Sequence, residues 1–239
     1  MCIFPISNNS FLRQYSRRQP KVISVTDEIK TKKGTTTVGL VCSDGIVFAS
    51  DTRASMGYFI AAKDVQKIHQ IDDHLAMTIA GSVADAQTLV RLMQAELKLY
   101  KMRKGQNMTI NAATTLLSNI MFQYKMFPFY VQILLGGVDG VTKRAAISNL
   151  DPLGGVTSES IVSTGSGSPM AYGLLEDQYR EHRPIKENAK LAVRAIATAM
   201  RRDAATGEHI DLIHINHDGF KRYGRDEIKK LLEAGSKAE

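Results

Sequence analysis

Gly34-Thr35-Thr36-Thr37 holds hydroxyls that gain chemical use under one condition. A threonine hydroxyl is a weak nucleophile at its free pKa. At the first residue of a chain, its own α-amine can serve as base. That amine has a reference pKa of about 7.7–8.0, near the value that general-base work at neutral pH requires. Thr35 gains such an amine only if the 34 residues before it are removed by cleavage between Gly34 and Thr35. Glycine before the bond permits a tight, strained turn and a close approach. Threonine runs are also ordinary strand sequence, so a strand start is the competing reading of these residues alone.

Two charged residues bear on that choice. Asp51 closes an otherwise apolar run, GIVFASD, and Lys67 sits between Gln66 and Ile68 in KIHQI. A lysine turned inward beside the threonine would lower the pKa of the amine and stabilise an alkoxide. A carboxylate beside that lysine would orient it and keep it charged. Each is otherwise a solvated surface charge, the usual state of Asp and Lys.

The elements that must position these residues follow from periodicity. TTVGLVC and GIVFASD read as strands joined by a hairpin turn at Ser43-Asp44-Gly45. A more polar stretch follows, then KIHQI and LAMTIAG around Asp72-Asp73. Ser82 stands where a helix cap would, before the stripe Leu89, Met93, Leu97 and Tyr100, which Gly105 ends. A second helix begins after Asn107 with Ala113, Leu117, Ile120 and Tyr124. FYVQILLGGVD reads as a strand buried on both faces, RAAISNLDP as its hairpin partner, and SIVST as another strand. TGSGSP opens a helix through Tyr172, Leu175 and Tyr179, and a further helix runs from Ile185 through Met200. IDLIHIN, the turn Asp218-Gly219 and an amphipathic RDEIKKLLEAG complete the chain. Strands arrive in hairpin groups and helices in pairs. That order implies an α+β protein with antiparallel sheets packed face to face between helical layers.

Composition bounds the function classes. The 239 residues are 44% hydrophobic and 23% charged, ordinary for a globular protein. No apolar run reaches the roughly 18 residues of a membrane span, so no membrane partner is expected. Two cysteines, Cys2 and Cys42, make no disulfide framework, and no Cys/His cluster has zinc spacing. A reducing, cytoplasmic setting is expected, with Cys42 in the core, and neither metal nor cofactor is called for. The net charge of +7 raises nucleic acid as a partner. However, residues 1–34 carry seven basic side chains against Asp27 and Glu28, which leaves an excess of only two for residues 35–239. There is no nucleic-acid motif and no basic, aromatic-interleaved strand, so no nucleic-acid partner is expected. The leader lacks an apolar core of signal-peptide length and reads as a pro-segment, 1–34, before one domain, 35–239.

GTTTVGLVCSDGIVFASDTRAS, KIHQIDDHLAMTIAGSVADAQ, STGSGSPMAYGLLE and RRDAATGEHID, in that order, resemble the proteasome β-subunit family of the archaeal, catalytically active type. The likeness spans Thr35 to about Glu233. It implies an N-terminal nucleophile hydrolase fold, a four-layer αββα sandwich. It implies that Thr35 becomes the N-terminal nucleophile, with Asp51 and Lys67 as catalytic carboxylate and lysine and Arg53 supporting the loop. Gly81 takes the oxyanion position. Ser166, Asp203 and Thr206 form a second constellation, Thr206 standing where serine is common in the family. Ala54, Val65, His69, Ile79 and Val83 would line a specificity pocket that is mostly apolar, which implies cleavage after large apolar residues. The family further implies a seven-fold β ring, α rings, a regulatory ATPase and unfolded protein substrates. Two alternatives stand beside it. One is the related two-ring bacterial peptidase, against which the length and long helices argue. The other is a silent ring subunit; such subunits typically lose the threonine, lysine or aspartate that this chain keeps.

Overall fold

The computed structural model describes residues 34–140 and 142–236, so the expected pro-segment before Gly34 lies outside the described residues. The described residues belong to one compact unit. Strands β1 (Thr36–Cys42) and β2 (Gly45–Asp51) form the expected hairpin. β10 (Ile161–Gly165) flanks β1, while β11 (Ile210–Asn216) and β12 (Gly219–Arg222) extend the sheet beyond β2. The second five-stranded sheet runs β5 (Ile68–Asp72), β6 (Leu75–Gly81), β7 (Val131–Val138), β8 (Ala145–Leu150) and β9 (Val156–Ser158). Every pairing is antiparallel.

Strand alternation sorts the apolar side chains into three cores. Val38, Leu40, Val47 and Ala49 leave one face of the first sheet and meet Ala189, Ala192, Val193 and Ile196 of helix α4 (Ile185–Met200). Ile46 and Phe48 leave the other face and meet Ala76, Leu134 and Ile147 of the second sheet. Leu75, Met77, Ile133 and Leu135 point outward from the second sheet. They pack on Leu89, Met93 and Leu97 of α1 (Val83–Lys104) and on Leu117 and Met121 of α2 (Ile110–Gln123). α3 (Ser168–Gln178) and α5 (Arg225–Ser236) complete the layer beside α4. The result is the four-layer αββα sandwich. Burying a side chain such as Phe48 stabilises it by about 1.5–3 kcal/mol. That ring lies over Gly39 and Gly136, where an added Cβ would stand 2.8 and 3.0 Å from its atoms.

Several local expectations change. The polar stretch after Asp51 contains a two-stranded ribbon, β3 (Ala54–Met56) and β4 (Phe59–Ala62), nearly all exposed. β9 and β12 are likewise short edge strands, too brief to show a period. Ser82 is at the N-cap position of α1, but its side chain makes no cap bond. Thr109, two residues past Asn107, caps α2 by accepting from Ala112 N–H, and Asp139 accepts from Ile110 N–H. Tyr124 falls just beyond α2 and is exposed. Lys67 precedes β5 instead of lying within it, although its carbonyl still accepts from Ile79 N–H. Among the described residues no helix is long and apolar enough to cross a membrane.

Candidate active site

Thr35 stands at the mouth of β1, buried, and the next two residues anchor it. Thr36 pairs with Gly165, and Thr37 pairs with both Thr164 and Ser50. Alternation sends neighbouring side chains to opposite faces. Thr37 Oγ1 meets Thr164 Oγ1 at 2.6 Å and accepts from Thr78 of the second sheet at 3.3 Å. Thr36 Oγ1 turns the other way, 2.7 Å from Thr206 Oγ1 beyond the end of α4.

Asp51, at the end of β2, is fully buried and accepts four hydrogen bonds. Oδ1 receives Lys67 Nζ at 2.7 Å and Thr36 N–H at 2.9 Å. Oδ2 receives Gly207 N–H at 3.0 Å and Arg53 N–H at 3.2 Å. A carboxylate is saturated in this way only as the acceptor-only anion. Lys67 is buried as well, with Asp51 as its ion-pair partner. Burial pushes its pKa below the ordinary lysine value, and the Asp51 charge and hydrogen bond pull it back only in part. Neither residue is a surface charge.

Ser166, Asp203 and Thr206 form a chain of hydroxyls on one carboxylate. Ser166 Oγ donates to Asp203 Oδ2 at 2.6 Å, and Thr206 Oγ1 donates to the same oxygen at 2.5 Å. With those protons committed, Thr36 Oγ1 is the donor to Thr206, and Ser166 Oγ is left to accept from Thr35 N–H at 3.3 Å. Threonine at 206 therefore supplies the hydroxyl that serine would. Arg53 holds the loop carrying these groups, donating to Ala204 O at 2.8 Å and pairing with Glu208 at 3.1 Å. Gly207 lies flat against its guanidinium, which a Cβ would meet at 2.3 Å.

Thr35, Lys67 and Gly81 share one cavity of about 360 Å³. Its walls include Ala54, Val65, His69, Ile79 and Val83, so the five residues assigned to a pocket line the same space as the threonine. Burial, more than the Arg222 charge nearby, holds the His69 pKa below that of a free histidine. The backbone and its neighbour both require glycine at 81. Its φ is 135°, and a Cβ would lie 2.1 Å from Tyr130 O.

The bond between Gly34 and Thr35 is gripped from several sides. Thr35 Oγ1 donates to Gly34 O at 2.7 Å, and Gly34 N–H donates to Ser55 Oγ at 3.0 Å. A Cβ on Gly34 would stand 1.7 Å from Ala205 Cβ. Room therefore requires glycine here. Sequence reasoning missed Ser55, Thr36 and Ala205. Ser55 and Ala205 meet Gly34 from distant parts of the chain, and Thr36 bonds Asp51 and Thr206, contacts that no local pattern announces.

The proteasome subunit family matches residues 31–215. The chain belongs to this family. It is 54% identical to proteasome subunit beta of Methanosarcina mazei over 204 residues, 85% of this chain and 96% of that relative. It is 54% identical to proteasome subunit beta of Methanohalophilus mahii over 208 residues, 87% and 98% of the two chains. The counterpart in Methanococcus maripaludis strain C7 is 51% identical over 202 residues, 84% and 92%. Within the proteasome subunit family match lie the hairpin, the cavity and the Ser166–Asp203–Thr206 chain.

Proposed function

We propose that this chain is a threonine-type endopeptidase subunit of a proteasome core, self-activated by cleavage between Gly34 and Thr35. The observation that carries the reading is the Thr35 hydroxyl on the Gly34 carbonyl, in one cavity with the buried Lys67–Asp51 pair.

In self-activation, Thr35 Oγ bonds to the Gly34 carbonyl carbon while the hydroxyl proton passes through water to the Thr35 nitrogen. The carbon–nitrogen bond breaks and an ester remains. Water then hydrolyses the ester, which releases the Gly34 carboxylate and restores the hydroxyl. The new α-amine lies beside Ser166 Oγ, whose own proton Asp203 holds, so the serine is an acceptor for that amine. In peptide hydrolysis the amine takes the Thr35 proton, Gly81 N–H receives the oxyanion, and an acyl-enzyme forms and is hydrolysed. Lys67, charged against Asp51, lowers the pKa of the amine and steadies the alkoxide. The apolar cavity walls, with His69 biased to its neutral form, suit a large apolar side chain before the cut. Membership of the proteasome subunit family supports a place in core rings with α subunits, and the substrates of this reading are unfolded proteins delivered by a regulatory ATPase.

Intact mass and N-terminal sequencing, after co-expression with an α subunit, test the reading. Wild-type chain should begin at Thr35, and Thr35→Ala should keep residue 34. An uncut Gly34–Thr35 bond in assembled wild-type particles would leave Thr35 without an amine and make the chain a silent ring subunit.

A further inference from the structure

We propose that Ser55 is a positioning residue for the cleavage between Gly34 and Thr35, holding Gly34 through its N–H. The proposal rests on the self-activation reading above. Ser55 is the one buried residue of the β3–β4 ribbon, whose other residues are exposed or half-exposed. The strand pairing shifts register between Ala54 and Ser55. A bulge of this kind re-aims a side chain, and the re-aimed hydroxyl is the one that accepts from Gly34 N–H at 3.0 Å. Ser55 lines the cavity together with Gly34 and Thr35.

Four contacts then hold the two residues of the bond to be cut. Ser55 Oγ accepts from the N–H of Gly34, Thr35 Oγ1 donates to the Gly34 carbonyl, Ala205 leaves no room for a side chain on the Gly34 Cα, and Ser166 Oγ accepts from Thr35 N–H. The carbonyl contact belongs to the attacking group itself and must loosen as Oγ moves from the oxygen to the carbon. The Ala205 contact limits bulk without setting rotation. The Ser166 bond holds the amine side, which stays with the threonine. The Ser55 bond is the one on the acyl side that does not involve the attacking hydroxyl, so it keeps Gly34 in place while that hydroxyl turns. Orientation of this kind acts directly on rate, because the reacting atoms must stay near attack geometry.

The test compares shapes that differ only by a hydroxyl. Full-length chains carrying Ser55→Thr or Ser55→Val are assembled with an α subunit, and conversion is followed by intact mass against time. Threonine and valine share a branched shape, differ by the hydroxyl, and both suit a strand. Ser55→Thr should convert within about twofold of wild type. Ser55→Val should convert about three- to tenfold more slowly, the range expected for one lost neutral hydrogen bond. Particle melting temperatures for the two variants should agree. Equal conversion rates for the threonine and valine variants would overturn the role of Ser55 and leave self-activation intact. Failure of wild type to convert would overturn both.

Discussion

Lys67 Nζ lies 2.7 Å from Asp51 Oδ1, and neither side chain is more than slightly exposed. The pair ties the end of β2 to the start of β5 across the two sheets, and the other Asp51 oxygen reaches Gly207 beyond α4. Asp51→Asn keeps the shape but leaves a buried ammonium without a counter-charge. It also puts an amide donor where every present neighbour donates. Urea unfolding should show a loss of about 3–5 kcal/mol, with peptide hydrolysis abolished. Asp51→Asn with Lys67→Met should recover part of that stability and none of the activity. Recovery of activity in the double variant would remove the pair from the chemistry.

Gly34→Ala should slow conversion at least tenfold, by a steric route. The new Cβ falls on Ala205, 1.7 Å from its Cβ and 2.6 Å from its Cα, so the loop carrying Asp203 and Thr206 must shift. The chain should still fold, since the clash sits at the edge of the sheet and not in its core. Conversion followed by mass, beside circular dichroism, separates the two effects. A rate within twofold of wild type would mean that the loop yields freely.

His69 makes the cavity pH-sensitive on the acid side. Burial holds its pKa below 6.5, so the ring is neutral at pH 7 and gains charge only as pH falls through that lowered value. The stability it contributes is present above pH 6.5 and is lost below it, because the unfolded chain binds the proton first. Cleavage after a large apolar residue should show a constant KM from pH 7 to 8 and a rising KM toward pH 5. His69→Gln should flatten that rise. An unchanged profile in the variant would place the titrating group elsewhere.

Cys42 should be inert in the folded chain. Burial pushes its thiol up to about 12, with Asn188 donating to the sulfur at 3.3 Å. Thiolate is the reactive form, so iodoacetamide at pH 8 should leave the Cys42 peptide unlabelled until urea unfolds the chain. Labelling under native conditions at the rate of a free thiol would show that the end of β1 opens.

The sequence by itself determined the order of the longer elements and the layer class, and it singled out Thr35, Asp51 and Lys67 as candidates. Strand alternation, helical stripes and turn glycines are local, and a buried charge at the end of an apolar strand is conspicuous in one dimension. Family resemblance added Gly81, Ser166, Asp203, Thr206 and the cavity walls. The direction of each hydrogen bond was not legible. That Thr36 donates to Thr206, leaving Ser166 to accept from Thr35, depends on which groups converge on Asp203 from three separate segments. The reason for glycine at 34 was also tertiary, because Ala205 fills the space beside it from 171 residues away along the chain. Ser55 carried no mark at all: a short exposed ribbon has no periodicity to read, and one register shift decides which side chain turns inward. Local patterns encode which face a residue presents; only the packing of distant segments decides what that face meets.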